Sequence, residues 1–227
     1  MRVRKALSLS IYREQIIRRL LQGNEREATS FAPQGIGGYE YPPREAYNPD
    51  MARVLLAEAG YPDGEGFPVV ELLFNTSDNH RKIAEAIQNM WRNEIGIEIE
   101  LTNQEWKVYL NTTQDMQYDI SRAGWIGNLY PYSFLRTLLS YSPNNETGFS
   151  DPYYDNLLEK FSHTMDMEQR FALIREAEER LLAMEPVIPL YWYTNVYLID
   201  PRVRNWNPKL VDKRPFKLVY LEDDESQ

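Results

Sequence analysis

The chain has 227 residues, 43% of them hydrophobic and 26% charged, with a formal net charge of −9. That composition supports a sizeable core in one or two domains and excludes wholesale disorder; the negative balance argues against nucleic acid, which demands clustered Lys and Arg. The absence of cysteine rules out disulfides, thiolate metal sites and thiol nucleophiles, and no apolar run approaches the ~20 residues needed to cross a bilayer.

Residues 3–21 read as an amphipathic helix with Leu7, Ile11, Ile16, Ile17, Leu20 and Leu21 on its apolar face and Gly23 as its stop. Seven Lys or Arg against two Glu in the first 26 residues read as a solvated helix face rather than a phosphate-binding arm. The basic start resembles a signal peptide, but Ser8 and Ser10 interrupt the apolar centre and Arg13-Glu14 stop it. The segment is therefore expected to be mature helix, leaving the chain without an export signal of its own. Residues 24–47 are rich in Pro and Gly and longer than most loops of compact domains, which marks a functional or wrapping loop. Asn48-Pro49-Asp50 supplies an N-cap and a first-turn proline for a helix that Gly60 and Pro62 stop.

Residues 69–124 follow a βαβαβ pattern, with strands at 69–75, 97–101 and 119–124. The first intervening helix has Ile83, Ile87, Met90, Trp91 and Ile95 on one face and ends at Gly96. Ile97, Ile99 and Leu101 alternate with Glu98 and Glu100, as in a strand with one wetter face. Asp151-Pro152 opens a helix carrying Tyr154, Leu157, Leu158 and Phe161. Asp166 with Gln169 resembles a capping box for a longer helix, ended by Pro186. Residues 187–199 read as an aromatic strand, 216–221 as a last strand and 222–225 as a solvated acidic tail.

Parallel strands joined by right-handed crossovers bring their C-terminal ends to one edge, where open α/β sheets bind ligands. His80, Trp106, Arg122 and Trp125 all follow or end such strands and are expected to face one crevice. Arg122 has two readings: an ion pair with Asp119 or Glu105, or a fork that grips a ligand carboxylate. His80, just inside a helix start, is either an exposed polar residue or an anion-facing group at the positive end of the helix dipole. Trp106 and Trp125 are either core aromatics or pocket walls. There is no G-x-S-x-G elbow and no H-E-x-x-H pair, and His80 and His163 lie far apart without a ligand set. Neither catalysis nor a metal or other cofactor is expected.

The stretches NTSDNHRKIAEAIQNMW, IGIEIELTNQEWKVYL and YDISRAGWIGN, with VRKALSLSIYREQI before and VIPLYWYTNVYLI after them, carry a resemblance. In order, and over nearly the whole chain, they resemble the C-terminal part of the oligopeptide- and dipeptide-binding proteins of ABC importers, the bacterial extracellular solute-binding proteins of family 5. The long N-terminal portion of that pattern has no counterpart here. The resemblance implies a periplasmic-binding-protein-like (type II) α/β lobe, a mixed β-sheet flanked by helices. Residues 1–197 would be the second lobe, and 198–227 a crossover segment belonging to a first lobe. It further implies capture of a short peptide between two lobes, hinge closure and delivery to ABC permease subunits, in the periplasm or another extracytoplasmic compartment. By resemblance Arg122 lines the peptide cleft, His80 faces the peptide's C-terminal carboxylate, and Trp106 and Trp125 flank its side chains through loose, hydrated contacts. Asn128 departs from the family, which often has an aspartate here that pairs with the ligand's α-ammonium. The amide of GWIGNLYPY keeps an acceptor and drops the charge. Only one wall of the cleft is encoded, so weak binding by this chain alone is expected. The alternative is a half that acts as an interaction module, pairing with a separately encoded N-terminal lobe.

Overall fold

In the computed structural model, which describes residues 1–21, 24–42, 46–206 and 216–222, the first helical stretch is broken. Gly23, the expected helix stop, lies outside the described residues, as do residues 207–215 and 223–227. Helix α1 (Arg2–Leu9) ends at Ser10, whose hydroxyl donates to the carbonyls of Ala6 (2.9 Å) or Leu7 (3.1 Å). Serine competes for helix carbonyls in this way and favours helix ends. Helix α2 (Arg13–Ile16) then runs into a π-helical turn, Ile17–Leu21.

The break explains why the basic face is not wholly solvated. Arg13 is 1% exposed. Its guanidinium donates to the carbonyls of Ser8 (3.0 Å), Ile11 (3.2 Å), Pro189 (2.7 Å) and Ala46, and to the Ser8 hydroxyl (3.1 Å). A buried cation is tolerated because those acceptors replace its water. Arg13 thus clamps the start of the chain to residues near its other end.

Strand β1 (Arg26–Glu27) precedes helix α3 (Pro49–Glu58), which the sequence marks well: Asn48 Oδ1 accepts from Met51 N at 2.9 Å. The central unit follows as β2 (Val70–Asn75), α4 (Asp78–Ile95), β3 (Ile99–Gln104), α5 (Trp106–Gln114) and β4 (Ile120–Ser121). Helix α4 ends at Gly96, with φ +68°, against the turn at residues 62–64; a Cβ there would lie 2.0 Å from the Asp63 carbonyl oxygen, so only glycine fits.

The three strands are parallel in the order β3-β2-β4, with Val70 opposite Ile99, Asn75 opposite Gln104, and Leu72 opposite Ile120. Leu72, Leu73 and Phe74 are all buried, as expected of a central parallel strand covered on both faces. Leu72 and Phe74 share a core with Ile83, Ile87, Trp91, Ile95, Ile97 and Ile99. The Trp91 indole donates to the Leu7 carbonyl at 3.0 Å, which fastens α1 to this core.

A second core forms around helices α6 (Tyr132–Leu135), α7 (Pro152–His163) and α8 (Met167–Met184). Asp151 caps α7, accepting from the backbone of Tyr153 and Tyr154 at 2.9 and 3.1 Å, and Asp166 caps α8 through Gln169 N at 2.8 Å. Of the long loop expected over 24–47, residues 31–41 wrap this core. Buried Glu178 on α8 accepts from Phe31 N (2.6 Å), Ala32 N (2.7 Å) and the Tyr39 hydroxyl. Burial, reinforced by the Glu178 carboxylate, keeps that phenol protonated far above its usual range.

The two strands expected near the end are much shorter than the pattern suggests. Within 187–199 only β5 (Tyr191–Trp192) forms, antiparallel to β1. Residues 216–221 are a 3-10 turn, Phe216–Leu218, followed by β7 (Tyr220–Leu221), which pairs with β6 (Val203–Arg204). Apolar and aromatic residues favour strands only where a pleated surface receives them, and here Val196 and Leu198 stand in solvent. Strands therefore pair in both senses, parallel in the main sheet and antiparallel in the two short ladders.

Candidate functional site

The strand order decides where the sheet opens. From β2 the chain crosses one way to β3, then back past β2 to β4. Right-handed crossovers in opposite directions put α4 and α5 on opposite faces. The reversal leaves a crevice beyond the carboxyl ends of β2 and β4, where open α/β sheets take their ligands. His80 follows β2 and Arg122 follows β4, so they flank it.

Arg122 continues β4, its backbone N–H donating to Leu73 O at 2.8 Å. Its half-buried guanidinium donates to the Tyr193 hydroxyl and lies 5.9 Å from that ring's centroid. Burial lowers the Arg122 pKa, and the phenols of Tyr191 and Tyr109 act against that shift. The ion-pair reading fails. Asp119 instead accepts from Glu71 N (3.0 Å), and Glu105 caps α5 through Lys107 N (2.8 Å). Among the described residues no carboxylate lies within 4.0 Å of Arg122.

His80 occupies the first turn of α4, its Nδ1 3.2 Å from the Asn75 carbonyl oxygen. That oxygen only accepts, so Nδ1 carries the proton and Nε2 is left free. Burial, and then the charge of Arg122, push the His80 pKa below its usual value. Both effects favour the neutral ring, and a nearby anion would act against them.

Neither tryptophan is a core residue. Trp106 begins α5, is 52% exposed, and stacks on Tyr109 with ring centroids 5.8 Å apart. Tyr109 is buried and its hydroxyl donates to the Arg122 carbonyl, so one ring joins Trp106 to the arginine. Trp125 is 43% exposed, its indole donating to Ser133 O at 3.2 Å. The Ser133 hydroxyl accepts from Asn128 N at 2.9 Å, which folds the 125–130 loop and leaves the Asn128 side chain in solvent. His80, Arg122 and Trp106 thus form one connected rim, and Trp125 and Asn128 stand on the loop that leaves it.

Sequence reasoning missed the tyrosines that hold Arg122. Tyr193 follows β5 directly, two positions from Tyr191, so in extended chain the two share a face; that spacing was the available signal. It also missed Asn75 and Gln104, which end β2 and β3 as register partners, with Asn75 Oδ1 and Gln104 Oε1 buried and without hydrogen-bond partners. His163 sits elsewhere, in an open groove of about 710 Å³ along α7 and α8. Among the described residues no three metal-ligating side chains gather, and no helix is long and apolar enough to cross a membrane.

Comparison with known proteins agrees with this architecture. Residues 1–146 match the family described as bacterial extracellular solute-binding proteins, family 5 Middle. The periplasmic oligopeptide-binding protein OppA of Salmonella typhimurium is 33% identical over 229 residues, which cover 98% of this chain and 41% of OppA. The periplasmic murein peptide-binding protein MppA of Escherichia coli is 36% identical over 213 residues, covering 90% of this chain and 39% of MppA. Among solved structures, Haemophilus influenzae OppA in complex with RPPGFSPFR matches with a TM-score of 0.85 at 30% identity, over 97% of this chain and 45% of that one. The Escherichia coli murein tripeptide-binding protein MppA matches at 0.83 and 36%, over 89% and 41%. The chain spans well under half the length of each of these relatives. They are substrate-binding proteins rather than enzymes. This chain belongs to family 5 of the bacterial extracellular solute-binding proteins and has the α/β fold of the type II periplasmic binding proteins.

Proposed function

We propose that this chain forms one wall of a cleft that binds short peptides for an ABC-type importer outside the cytoplasm. Arg122 and His80 receive the peptide's carboxylate end; Trp106, Trp125 and Asn128 line its path. The observation that carries this reading is Arg122. A half-buried guanidinium stands at the switch point of the sheet with phenols for company and, among the described residues, no carboxylate within ion-pair distance. Such a cation is costly until an anion arrives, and its fork matches a carboxylate. The half-exposed indoles suit varied side chains, because a stacking face asks for shape rather than a particular group. The names of the relatives, which bind oligopeptides and murein peptides, support the same ligand class.

In this reading residues 1–197 form a second lobe and 198–227 cross to a first lobe supplied by an N-terminal portion. Leu198, Phe216, Leu218, Tyr220 and Leu221 are all more than half exposed, an apolar surface that calls for cover. Closure of two lobes around the peptide excludes water and strengthens the Arg122 contact, so the single wall binds weakly. Permease subunits of the importer are the partners that accept the loaded protein.

Calorimetric titration with mixed tri- and tetrapeptides tests this, with and without the N-terminal lobe of the OppA relative supplied as a second chain. Heat of binding in the two-lobe assembly, absent or much weaker without the added lobe, is the expected result. No heat in either sample, or hydrolysis of the peptides, would overturn it. Association of the lobes without peptide binding would favour the second reading, an interaction module, to which the exposed crossover surface also points.

A further inference from the structure

The short ladder of β1 and β5 runs past the rim and carries a carboxylate that the site described above does not use. It pairs Arg26 with Trp192 and Glu27 with Tyr191, and Ala28 N donates to Leu190 O at 3.1 Å one step beyond. The same register, carried one step the other way, sets Glu25 opposite Tyr193. Cross-strand partners and alternate residues share a face. Glu25, Glu27, Tyr191 and Tyr193 therefore lie on one side, and Arg26 and Trp192 on the other. The rings of Tyr191 and Tyr193 meet edge to face at 5.2 Å, and the Tyr193 hydroxyl is the acceptor for Arg122.

Glu25 is partly buried, and its Oε2 is shielded from solvent without a hydrogen-bond donor among the described residues. An unsatisfied buried carboxylate oxygen is expensive and calls for a partner. Its charge acts on Tyr191, as that of Arg122 does. Burial raises the Tyr191 pKa most; Arg122 lowers it, and Glu25 raises it. A cation and an anion thus stand beside one tyrosine pair, and among the described residues neither is in an ion pair.

We propose that Glu25 determines specificity. With the ligand's terminal carboxylate on Arg122, Glu25 receives a cationic side chain of that same terminal residue, so this wall selects peptides ending in a basic residue. The Tyr191 and Tyr193 rings between the two charges give the aliphatic stem of a lysine or arginine an apolar surface to lie on. An apolar terminal residue satisfies Arg122 and leaves Glu25 without a partner. This inference rests on the carboxylate-binding reading of Arg122.

The test is calorimetric titration of the two-lobe assembly with Ala-Ala-Lys and Ala-Ala-norleucine, which differ in the terminal ammonium at nearly equal length. A charged hydrogen bond makes the lysine peptide bind about tenfold tighter or more. Glu25→Gln erases that difference, Glu25→Lys turns the preference towards a peptide ending in glutamate, and Glu27→Gln retains it. Thermal melts of each variant identify any that fail to fold, and the wild-type comparison needs no variant at all. Equal affinity of the wild type for the two peptides, or a preference that survives in folded Glu25→Gln, would sink the inference and leave the Arg122 reading standing. Binding of neither peptide would overturn both.

Discussion

The parallel sheet and the C-terminal ladder present the same residue types to opposite surroundings. In β2, Leu72, Leu73 and Phe74 are at most 5% exposed; in and around β7, Phe216, Leu218 and Leu221 are at least 55% exposed. The first group has helices on both faces, a neighbouring strand on each side and a turn chemistry that sets its register. The second has a two-residue ladder and a loose cluster of Tyr197, Trp206 and Phe216 rings, with centroids 5.4 and 5.9 Å apart. Full burial of one such side chain contributes roughly 1.5–3 kcal/mol. The sheet holds that contribution among the described residues, whereas the ladder leaves these side chains exposed there.

The largest effect that sharpens the contrast is a cavity. Leu73 is wholly buried, so Leu73→Ala is expected to lower unfolding free energy by about 2–5 kcal/mol in urea titrations. Leu221→Ala, at 63% exposure, is expected to change it by less than about 0.5 kcal/mol in this chain alone. With the N-terminal lobe added, Leu221→Ala should weaken association of the lobes. A Leu221 effect as large as that of Leu73 in the isolated chain would break the comparison.

Arg122→Gln comes next. Loss of a charged hydrogen bond weakens peptide binding by about 1.5–3 kcal/mol, roughly ten- to a hundredfold. The melting temperature should not fall, because the substitution removes a cation that burial disfavours and that no carboxylate among the described residues pairs. A sharp drop in melting temperature with unchanged binding would make Arg122 a structural residue. Asn128→Asp is expected to tighten peptides with free N-termini by up to about tenfold, with no gain for N-acetylated peptides. Equal behaviour of both peptide classes would place Asn128 away from the ammonium.

The smallest effect is a pH dependence. In the free protein His80 titrates below its usual value because burial and Arg122 oppose the proton. A carboxylate near Nε2 raises that pKa in the complex, so binding takes up a proton. Affinity is then greatest below the free-state pKa and falls as pH rises through the bound-state value. His80→Gln should flatten the dependence, which begins below the usual histidine range because the free-state pKa is lowered. A flat wild-type profile would remove His80 from the carboxylate site.

Much of the sheet and its flanking caps was legible in the residue order. Asn48, Asp151 and Asp166 act on backbone groups two or three positions away, and Gly96 answers a local demand for positive φ. Alternation along 97–101 likewise reports one strand and its two faces. The break between α1 and α2 was hidden because the apolar period continues through Ser10 and Tyr12, while Arg13 finds its carbonyls at Ala46 and Pro189. The wrapping of residues 31–41 depended on Glu178, far along the chain on α8.

For the rim, the sequence by itself determined which strands end in chemistry-bearing loops, and so named His80, Trp106, Arg122 and Trp125. Only the tertiary structure decided that Arg122 finds Tyr193 rather than Asp119 or Glu105, and that Glu25 comes near Tyr191 with Oε2 lacking a donor among the described residues. The physical reason is range. Caps, turns and periodicity are settled among neighbours, whereas the partner of a half-buried charge depends on which distant strands the fold lays beside it.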